Sequence, residues 1–300
     1  MAAATDRPPV LSVVIPTFNN EAVLRQCLDG WEQFGGDDIE LVVVEDGCRD
    51  QTRSFLAARA ATPWGVRHLR WIHEDDAHEL RCTNAGLAIA RGDLVAAWQD
   101  DMLLRASWLV PELCAAFDRY ADLGLLSLSR GLNCTPVADP IETWADLVDW
   151  RRLQSTIGPA PGNWFRLQEV DIVIRPWIVR RACLDRVGLL DEAFRPTEWD
   201  EADLAYRVRQ AGWKVGTCGY ERLGGYTHLG STTIGSPSSS YLDRVLRNGR
   251  LFHERWDATI EQQHPRPRRT WLRPATAAGW SATVGSIARA AARSVVAGRS

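Results

Sequence analysis

Two acidic clusters follow short apolar runs of the sequence, and carboxylates in that position can do chemistry with a cation. The run LVAAW is followed by Asp100 and Asp101, and the run IELVVVE is followed by Asp46. A third run, LSVVI, leads into a polar segment that contains Thr17. Buried carboxylates are costly unless a cation or hydrogen-bond donors compensate them. The repetition therefore favours a functional site over an isolated turn or helix cap.

The chemistry of these residues favours a divalent cation shared with a phosphorylated ligand. Hard carboxylate oxygens suit Mg²⁺ or Mn²⁺, ions that keep bound waters and are shared with substrate phosphates. The sequence has no G-x-x-x-x-G-K-[ST] phosphate loop and no G-x-G-x-x-G after its first apolar run. These absences argue against a P-loop enzyme and a dinucleotide-binding dehydrogenase. A nucleotide diphosphate is the ligand that fits the acidic clusters.

The elements that must position these residues alternate between two periodicities over the first 130 residues. Short apolar runs alternate with helical segments, which is typical of βαβ units and a mostly parallel sheet. The predicted strands lie at 11–15, 39–45, 66–72, 94–98 and 124–129. Ligands bind outside the carboxyl ends of parallel strands. The acidic clusters are therefore expected to meet at one edge of the sheet.

The composition is that of an ordinary globular protein, with 45% hydrophobic and 24% charged residues in a chain of 300. The seven cysteines form no C-x-x-C pair, and the sequence opens without a signal-peptide pattern. A reduced, cytoplasmic protein is therefore expected. No apolar stretch reaches the roughly 20 residues that a transmembrane helix needs.

The C-terminal tail is the basic part of a chain whose net charge is -3. From Gln262 onward it carries seven arginines and no acidic residue. A Pro/Arg-rich linker precedes an Ala-rich segment that is predicted to be helical. Such a helix could rest on an anionic membrane surface, and a solvated or partly disordered tail is the alternative. Nucleic acid is not an expected partner, because the arginines belong to no binding motif and the body of the chain is acidic.

Three ordered segments resemble the family 2 glycosyltransferases, which have the GT-A fold. VVIPTFNNEAVLRQCLDG resembles the family's opening strand and helix, and VVVEDGCRDQT resembles its V-V-D-D-G-S-x-D-x-T segment. NAGLAIARGDLVAAWQDD is similar to its N-x-G-x-x-x-A-x-G-x-x-x-x-x-x-D-D segment. Further on, VRRACLDRVGLLDEAF and EWDEADLAYRVRQAGW resemble two later stretches of the family. The resemblance covers residues 10–256 and leaves out the tail.

The resemblance implies a GT-A type α/β fold, with a mostly parallel, doubly wound sheet, two halves and a C-terminal helical tail. The expected divisions are a nucleotide-sugar-binding half at 1–125, an acceptor-binding and catalytic half at 126–262, and the basic linker and helix at 263–300. The implied reaction is an inverting, metal-dependent transfer of a hexosyl or deoxyhexosyl group. The expected donor is a UDP- or dTDP-sugar, the acceptor is a hydroxyl of a glycan, lipid-linked or small molecule, and the cofactor is Mg²⁺ or Mn²⁺.

The resemblance also implies roles for individual residues. Asp101 is the expected metal ligand, and His228 is expected to contact the metal or the diphosphate. The family's Glu-Asp pair appears inverted in WDEADL, so Glu201 is the first candidate for the general base and Asp200 is the second. The expected nucleotide-sugar-binding residues are Pro16, Thr17, Asn19, Asp46, Asp76, Asn84 and Asp100.

Three other charged residues have open interpretations. Asp203 is expected to be a structural anchor. Arg247 and Arg250 resemble a family R-N-x-x-x-F helix, where they meet phosphate or form salt bridges on the helix face. Without the resemblance, the acids of WDEADL would be interpreted as a helix N-terminus, where carboxylates favour the helix dipole.

Departures from the family pattern leave alternatives open. Gln99 stands where many relatives have an acid, and Glu45 stands beside Asp46 where they have Asp. One alternative is a degenerate sugar-nucleotide-binding protein without transfer activity, and the other is a nucleotidyltransferase, which attacks phosphorus. HEDDAHE resembles a metalloprotease motif, but His73 and His78 are five residues apart instead of four. A polar loop is expected there.

Overall fold

The computed structural model describes residues 8–134, 141–143, 146, 153–157, 167–230, 239–263 and 270–272. Its strands, β1 to β14 in chain order, are Leu11–Thr17, Ile39–Asp46, Leu69–Glu74, Leu94–Ala97, Met102–Leu104, Leu123–Ser127, Arg130–Cys134, Leu153–Ile157, Gln168–Glu169, Ile172–Val173, Trp177–Arg180, Lys214–Thr217, Tyr226–His228 and Thr270–Trp271. Its helices, α1 to α8, are Glu21–Phe34, Thr52–Ala60, Pro63–His68, His78–Ile89, Leu109–Arg119, Arg181–Val187, Asp200–Gln210 and Ser239–Gln263. Short 3-10 helices lie at Glu192–Phe194 and Glu221–Leu223.

A nine-stranded sheet is the framework of the described residues, in the order β14-β9-β12-β6-β11-β4-β1-β2-β3. The strands β3, β2, β1 and β4 pair in parallel, and β6 and β12 also form a parallel pair. Between these two groups, β11 is antiparallel to both of its neighbours. The expected α/β architecture with a mostly parallel central sheet is confirmed.

Residues of the first two strands alternate between two hydrophobic cores on opposite faces of the sheet. In β1, Val13 and Ile15 pack in one core and Val14 packs in the other. In β2, Val43 and Val42 divide in the same way. Successive strand residues point to opposite faces, so a strand that is covered on both faces must be apolar throughout. This explains the uninterrupted apolar runs VVI and LVVV.

The third strand begins later than the sequence predicts. A strand was expected over 66–72, but its first three residues belong to α3, and β3 begins at Leu69. Pro63 lies in the first turn of α3, where a missing backbone N–H leaves no helical bond unmade. The hydroxyl of Thr62 accepts a hydrogen bond from the Gly65 N–H over 3.0 Å. The proline and the cap together outweigh the apolar pattern.

A two-stranded ribbon places the end of β4 beside a distant segment. After Trp98 the chain turns, and β5 pairs antiparallel with β13, so that Met102 lies opposite His228. The indole N–H of Trp98 donates to the Met102 carbonyl over 2.6 Å. The same ring packs edge-on against Trp31 and Tyr226. Trp98 thereby fixes the turn that carries the two aspartates.

Part of the predicted tail belongs to the main sheet. The strand β14 lies within the segment that was expected to be a linker, and it pairs antiparallel with β9. Leu272 follows it and is buried at 5% exposure. The expected Ala-rich helix and its arginines lie outside the described residues. Within the described ranges, no helix has the length and apolar character needed to cross a membrane.

Candidate active site

The strand-end residues meet at one cavity of about 420 Å³, which we call the first cavity. The strands β1, β2 and β4 are parallel, so their carboxyl ends lie at the same edge of the sheet. Six of the residues that the sequence singled out line this cavity, namely Pro16, Thr17, Asp46, Asp100, Asp101 and His228.

Asp100 is connected to the end of the first strand. The Thr17 hydroxyl donates to Asp100 Oδ2 over 2.7 Å. Burial raises the pKa of Asp100 to about 6; the hydrogen bonds from Thr17 and Asn20 oppose this, and the charges of Asp101 and Glu79 add to it. A cation beside this carboxylate would stabilise its charged form.

Asp101 and His228 are brought together by the two-stranded ribbon. Asp101 Oδ1 lies 3.4 Å from His228 Nε2, and the histidine side chain is 36% exposed. The hydrogen bond with Asp101 raises the pKa of His228 above its ordinary value. A carboxylate oxygen and an imidazole nitrogen are both ligands of divalent cations.

The protein ligands available to a cation at this site are few. In the part of the chain that the structure describes, no group of three or more His, Cys, Asp or Glu side chains could hold a metal ion by itself. Mg²⁺ commonly binds through one or two protein carboxylates and takes its remaining ligands from water and substrate phosphates. The pair of Asp101 and His228 therefore fits an ion that is shared with a phosphorylated ligand.

Asp46 shapes the loop between β3 and α4. Its carboxylate oxygens accept hydrogen bonds from the backbone N–H groups of Ala77 over 2.7 Å and of His78 over 2.9 Å. Asp76 and His78 have positive φ angles of 54° and 59°, which few non-glycine residues adopt. The side chain of Asp76 is 89% exposed and is not part of the cavity wall.

Glu45, which departs from the family pattern, is a buried group behind this loop. Its Oε2 accepts from Arg53 Nε over 2.9 Å and lies 2.7 Å from His73 Nδ1. Burial raises the pKa of Glu45, but hydrogen bonds from His73, Cys48 and Arg53 outweigh burial, and the pKa is lowered. Glu45 is therefore an ionised framework residue, and its extra methylene lies outside the cavity.

Two other expected nucleotide-sugar-binding residues are not part of the cavity wall. Asn19 Oδ1 accepts a hydrogen bond from the Arg49 N–H over 2.7 Å. The Asn84 amide donates to the Leu190 carbonyl over 2.8 Å and accepts from the Leu190 N–H over 2.9 Å. Both asparagines connect distant segments of backbone, and a contact of either with a ligand stays a prediction.

A second cavity of about 460 Å³ adjoins the first. The two cavities have four wall residues in common, namely Glu79, Gln99, Thr197 and His228. Glu201, the first candidate for the general base, lines the second cavity. The strand-end acids and the candidate base therefore lie on either side of a shared wall.

The start of α7 gives its two acids different surroundings. Asp200 is 0% exposed and lines neither cavity. The side chain of Glu201 is 18% exposed. Glu198 and Trp199, just before the helix, have φ angles of 81° and 67°, a left-handed conformation that costs energy in non-glycine residues. The sharp turn that they form directs Asp200 into the protein and Glu201 toward the cavity.

Helix α8 holds this turn in place. Asn248 is fully buried, and its Nδ2 donates to three carbonyls of the preceding loop, those of Phe194, Thr197 and Glu198. The Tyr241 hydroxyl donates to Glu198 Oε1 over 2.7 Å. The strained backbone is thus stabilised by side chains from another element.

Asp203 has the contacts of a structural anchor. Its Oδ2 accepts from Arg207 Nε over 2.7 Å, and its Oδ1 accepts from Trp256 Nε1 over 3.1 Å. Arg255 of α8 adds a contact of 3.3 Å. These bonds join α7 to α8, and the residue is 1% exposed.

A buried arginine joins the acids around the second cavity. Arg175 Nη1 lies 2.5 Å from Glu79 Oε1, while Nη2 lies 2.9 Å from Asp200 Oδ2 and 3.7 Å from Glu201 Oε2. Burial raises the pKa of Glu201 to about 8; Arg175 opposes the shift, and the charges of Asp200, Glu198 and Glu79 add to it. Burial also raises the pKa of Asp200. A carboxyl group with a pKa near 8 is suited to accept a proton near neutral pH.

The charged residues at the two cavities that the sequence reasoning missed include Glu79, Arg175 and Arg244. Arg244 of α8 lines the first cavity, whereas Arg247 and Arg250 of the same helix donate to backbone carbonyls outside both cavities. The sequence signal was an arginine-rich helix, and helical spacing alone does not tell which arginine faces a site.

Solved structures share the fold of the described residues. GalNAc-T7 in complex with UDP, GalNAc and Mn²⁺ superposes with a TM-score of 0.64 at 13% identity, over 84% of this chain and 50% of that one. TarS of S. aureus, residues 1–349 with UDP-GlcNAc, gives a TM-score of 0.52 at 14% identity, over 86% of this chain and 68% of that one. The architecture is that of the GT-A glycosyltransferases.

A comparison of the sequence with family models finds a match for part of the chain. Residues 12–130 match the family model described as Glycosyl transferase family 2. They contain all of β1 except Leu11, the whole of β2 to β4, and the acids at the ends of these strands. This part of the chain matches family 2 glycosyltransferases, the family that its motifs predicted.

Two curated relatives agree with that assignment. Validoxylamine A glucosyltransferase of Streptomyces hygroscopicus subsp. limoneus is 25% identical over 234 residues, which are 71% of this chain and 50% of that protein. The PGL/p-HBAD biosynthesis glycosyltransferase of Mycobacterium bovis is 37% identical over 103 residues, which are 34% of this chain and 39% of that protein. The chain thus spans half or less of the length of these two relatives.

Proposed function

We propose that the protein is an inverting, metal-dependent glycosyltransferase that moves a hexosyl or deoxyhexosyl group from a nucleoside-diphosphate sugar to a hydroxyl group. One observation carries the proposal: the strand-end acids and Glu201 line two adjoining cavities with a shared wall. A donor in the first cavity and an acceptor in the second would meet where the two cavities adjoin. Such proximity is a major source of rate enhancement in group transfer.

The first cavity is the proposed donor site. Asp101 and His228 would hold Mg²⁺ or Mn²⁺, and the ion would neutralise the charge that grows on the departing diphosphate. Arg244 would bind phosphate oxygens through its guanidinium group. Phe18 lines the same cavity and is 47% exposed, so its ring is available to the base. GalNAc-T7 with UDP and TarS with UDP-GlcNAc support the proposal of a UDP- or dTDP-sugar.

The second cavity is the proposed acceptor site, with Glu201 as the general base. The acceptor oxygen attacks the anomeric carbon, its proton passes to Glu201, and the bond from that carbon to the diphosphate oxygen breaks. Glu201 is proposed ahead of Asp200 because Asp200 has no exposed surface. Inversion of the anomeric carbon is carried over from the family resemblance.

The proposed acceptor is a hydroxyl of a glycan, lipid-linked or small molecule. The wall of the second cavity includes Arg130, Arg222 and Glu221, which can form hydrogen bonds with a polyol. A separate proposal is that the arginine-rich tail associates with anionic membranes. The full chain should then bind anionic vesicles at low salt and release them at high salt, and a chain ending after Leu272, which lacks four of the seven arginines, should bind more weakly. Equal behaviour of the two chains would remove this proposal.

Calorimetric titration with nucleoside diphosphates tests the donor site. UDP, dTDP and GDP are titrated with Mn²⁺, with Mg²⁺ and with chelator, using the wild type, Asp101→Ala and the control Asp37→Ala, which alters an exposed aspartate. We expect one nucleotide to bind more tightly with metal, and the metal effect to be lost only in Asp101→Ala. If no nucleotide binds the wild type, the proposed function is wrong.

The products released from the donor separate the three candidate functions. A glycosyltransferase releases nucleoside diphosphate from the sugar nucleotide, slowly with water and faster with an acceptor. A nucleotidyltransferase releases pyrophosphate from a nucleoside triphosphate. A degenerate binding protein binds the sugar nucleotide and releases neither product.

A further inference from the structure

A chain of polar contacts crosses the wall between the two cavities. Gln99 Nε2 donates to Glu79 Oε1 over 3.3 Å, and the same carboxylate oxygen lies 2.5 Å from Arg175 Nη1. Arg175 continues the chain to Asp200 and Glu201. We call these five residues the Arg175 network. It begins next to the aspartates after β4 and ends at the proposed general base.

The shape of the network is more than a buried ion pair requires. Arg175 is 8% exposed at its side chain, and a single carboxylate would compensate its charge. Its guanidinium instead spreads over three carboxylates, of which Asp200 is fully buried while Glu79 and Glu201 reach a cavity. Thr197 also donates to Glu79 Oε2 over 3.1 Å. A planar guanidinium with five N–H donors can fix such a set of partners in direction as well as in charge.

On the basis of the proposed function, we propose that Arg175 is the positioning residue of the transfer reaction. It directs the Glu201 carboxylate toward the second cavity, and through Glu79 and Gln99 it fixes that carboxylate relative to the strand end that binds the donor. Arg175 itself does not take the acceptor proton. Its contribution is the distance between the base and the donor, and an error of about 1 Å in such a distance can cost on the order of 100-fold in rate.

Three substitutions separate positioning from simple charge compensation. Arg175→Lys keeps the charge and loses the planar fork. Arg175→Met removes the charge and leaves Asp200 buried without compensation, which is expected to destabilise the protein. The double variant Arg175→Met with Asp200→Asn removes the guanidinium and its one fully buried carboxylate partner. Glu79 and Glu201 line the second cavity, where water can compensate them, so the double variant should fold like the wild type while Arg175 no longer orients Glu201. Arg180→Met is the matched control, because Arg180 also donates to buried carbonyls, those of Phe117 and Leu123, but lies at neither cavity.

The measurements are thermal unfolding, nucleoside diphosphate affinity and the pH dependence of kcat for transfer. We expect the double variant to have a melting temperature close to that of the wild type. Its affinity for nucleoside diphosphate should stay within about threefold of the wild-type value, and its kcat should be about 100-fold lower than that of the wild type. Arg175→Lys should fall between the double variant and the wild type. The loss of kcat should persist at alkaline pH, where the profile is flat. Glu201 is ionised there, although the charges of Asp200, Glu198 and Glu79 raise its pKa. Arg180→Met should lose stability and keep kcat within about threefold of the wild type.

Two outcomes would overturn the inference while leaving the proposed function intact. The first is a folded double variant whose plateau kcat equals that of the active wild type. The second is a loss of kcat matched by an equal loss of nucleotide affinity, which would show a general collapse of both cavities. If the wild type binds no nucleotide and transfers no sugar, the proposed function fails and this inference fails with it.

Discussion

The acids at the strand ends, which line the first cavity, and the acids around the second cavity are compensated in different ways. Two of the strand-end carboxylates that line the first cavity are held by neutral donors: Thr17 donates to Asp100, and backbone N–H groups donate to Asp46. Around the second cavity, Asp200 shares the permanently charged guanidinium of Arg175 with its neighbours. Neutral donors orient a carboxylate without cancelling its charge, whereas a guanidinium cancels it.

This difference supports the proposal that a metal ion binds at the strand ends. The strand-end cluster keeps negative charge, and the titratable Asp100 with a pKa of about 6 reflects that charge and its burial. In the proposed function, a cation bound together with a diphosphate would stabilise this charge. In the proposed function, Arg175 compensates the acids at the start of α7, and Glu201 would accept a proton without a metal ion. We therefore propose metal chemistry for the first cavity and acid-base chemistry for the second.

We expect the greatest loss of activity from a substitution of the proposed general base, Glu201. Glu201→Gln keeps the shape of the side chain and removes its ability to accept a proton. We expect kcat to fall by about 10²- to 10⁴-fold while nucleoside diphosphate affinity is unchanged, as measured by steady-state kinetics and calorimetry. Glu254→Gln, at an exposed position of α8, is the matched control. A Glu201→Gln enzyme with wild-type kcat would move the base to another residue and break the comparison.

The second prediction concerns the metal side. Asp101→Asn removes a charged ligand, so the strengthening of nucleotide binding by Mn²⁺ should fall by about 10- to 100-fold, measured as the ratio of affinities with metal and with chelator. Glu201→Gln should leave that ratio unchanged. If both substitutions weaken the metal effect equally, the two clusters act as one site and the assignment of separate chemistry is wrong.

The pH dependence of transfer should report the acid-base cluster. Burial raises the pKa of Glu201 to about 8, and only the ionised carboxylate accepts a proton. The rate kcat should therefore rise about tenfold per pH unit below that value and level off above it. Substitution of the metal side, for example Asp101→Asn, should lower the profile without moving its acidic limb. A limb near pH 4 to 5, the ordinary range of Glu, would show that Glu201 is not the base.

The strand-end site could be predicted from the sequence because it follows from local rules. Apolar runs define β1, β2 and β4, parallel pairing aligns their ends, and the polar residues after them must converge. The start of β3 could not be found in this way, because the cap formed by Thr62 and Pro63 competes with an apolar pattern. Glu45 departs from the family pattern, and the sequence does not show that its side chain bonds to Arg53 and His73 as a framework residue.

The second cavity, which is the proposed acceptor site, could be predicted less well from the sequence because it depends on contacts between distant segments. Glu201 and Asp200 are neighbours in sequence, and only the left-handed turn at Glu198 and Trp199 gives them different exposure. Arg175 is separated from Glu79 by 96 positions. No periodicity or motif in one sequence records such a pair. The family resemblance supplied the two acids, and the guanidinium that organises them required the structure.

The smallest expected effect tests whether the strand-end cluster has a fixed cation in addition to the metal. Arg244→Gln removes the guanidinium that lines the first cavity, and we expect nucleoside diphosphate affinity to fall by about tenfold, since a hydrogen bond to a charged group contributes about 1.5 kcal/mol. Arg250→Gln on the same helix should have little effect, because Arg250 donates to the carbonyls of Ile141 and Glu142. The loss should be smaller for a nucleoside monophosphate, which has fewer phosphate oxygens to bind. If Arg244→Gln weakens both nucleotides equally, Arg244 acts on the base or on the cavity wall, and the strand-end cluster relies on the metal ion alone to neutralise the diphosphate.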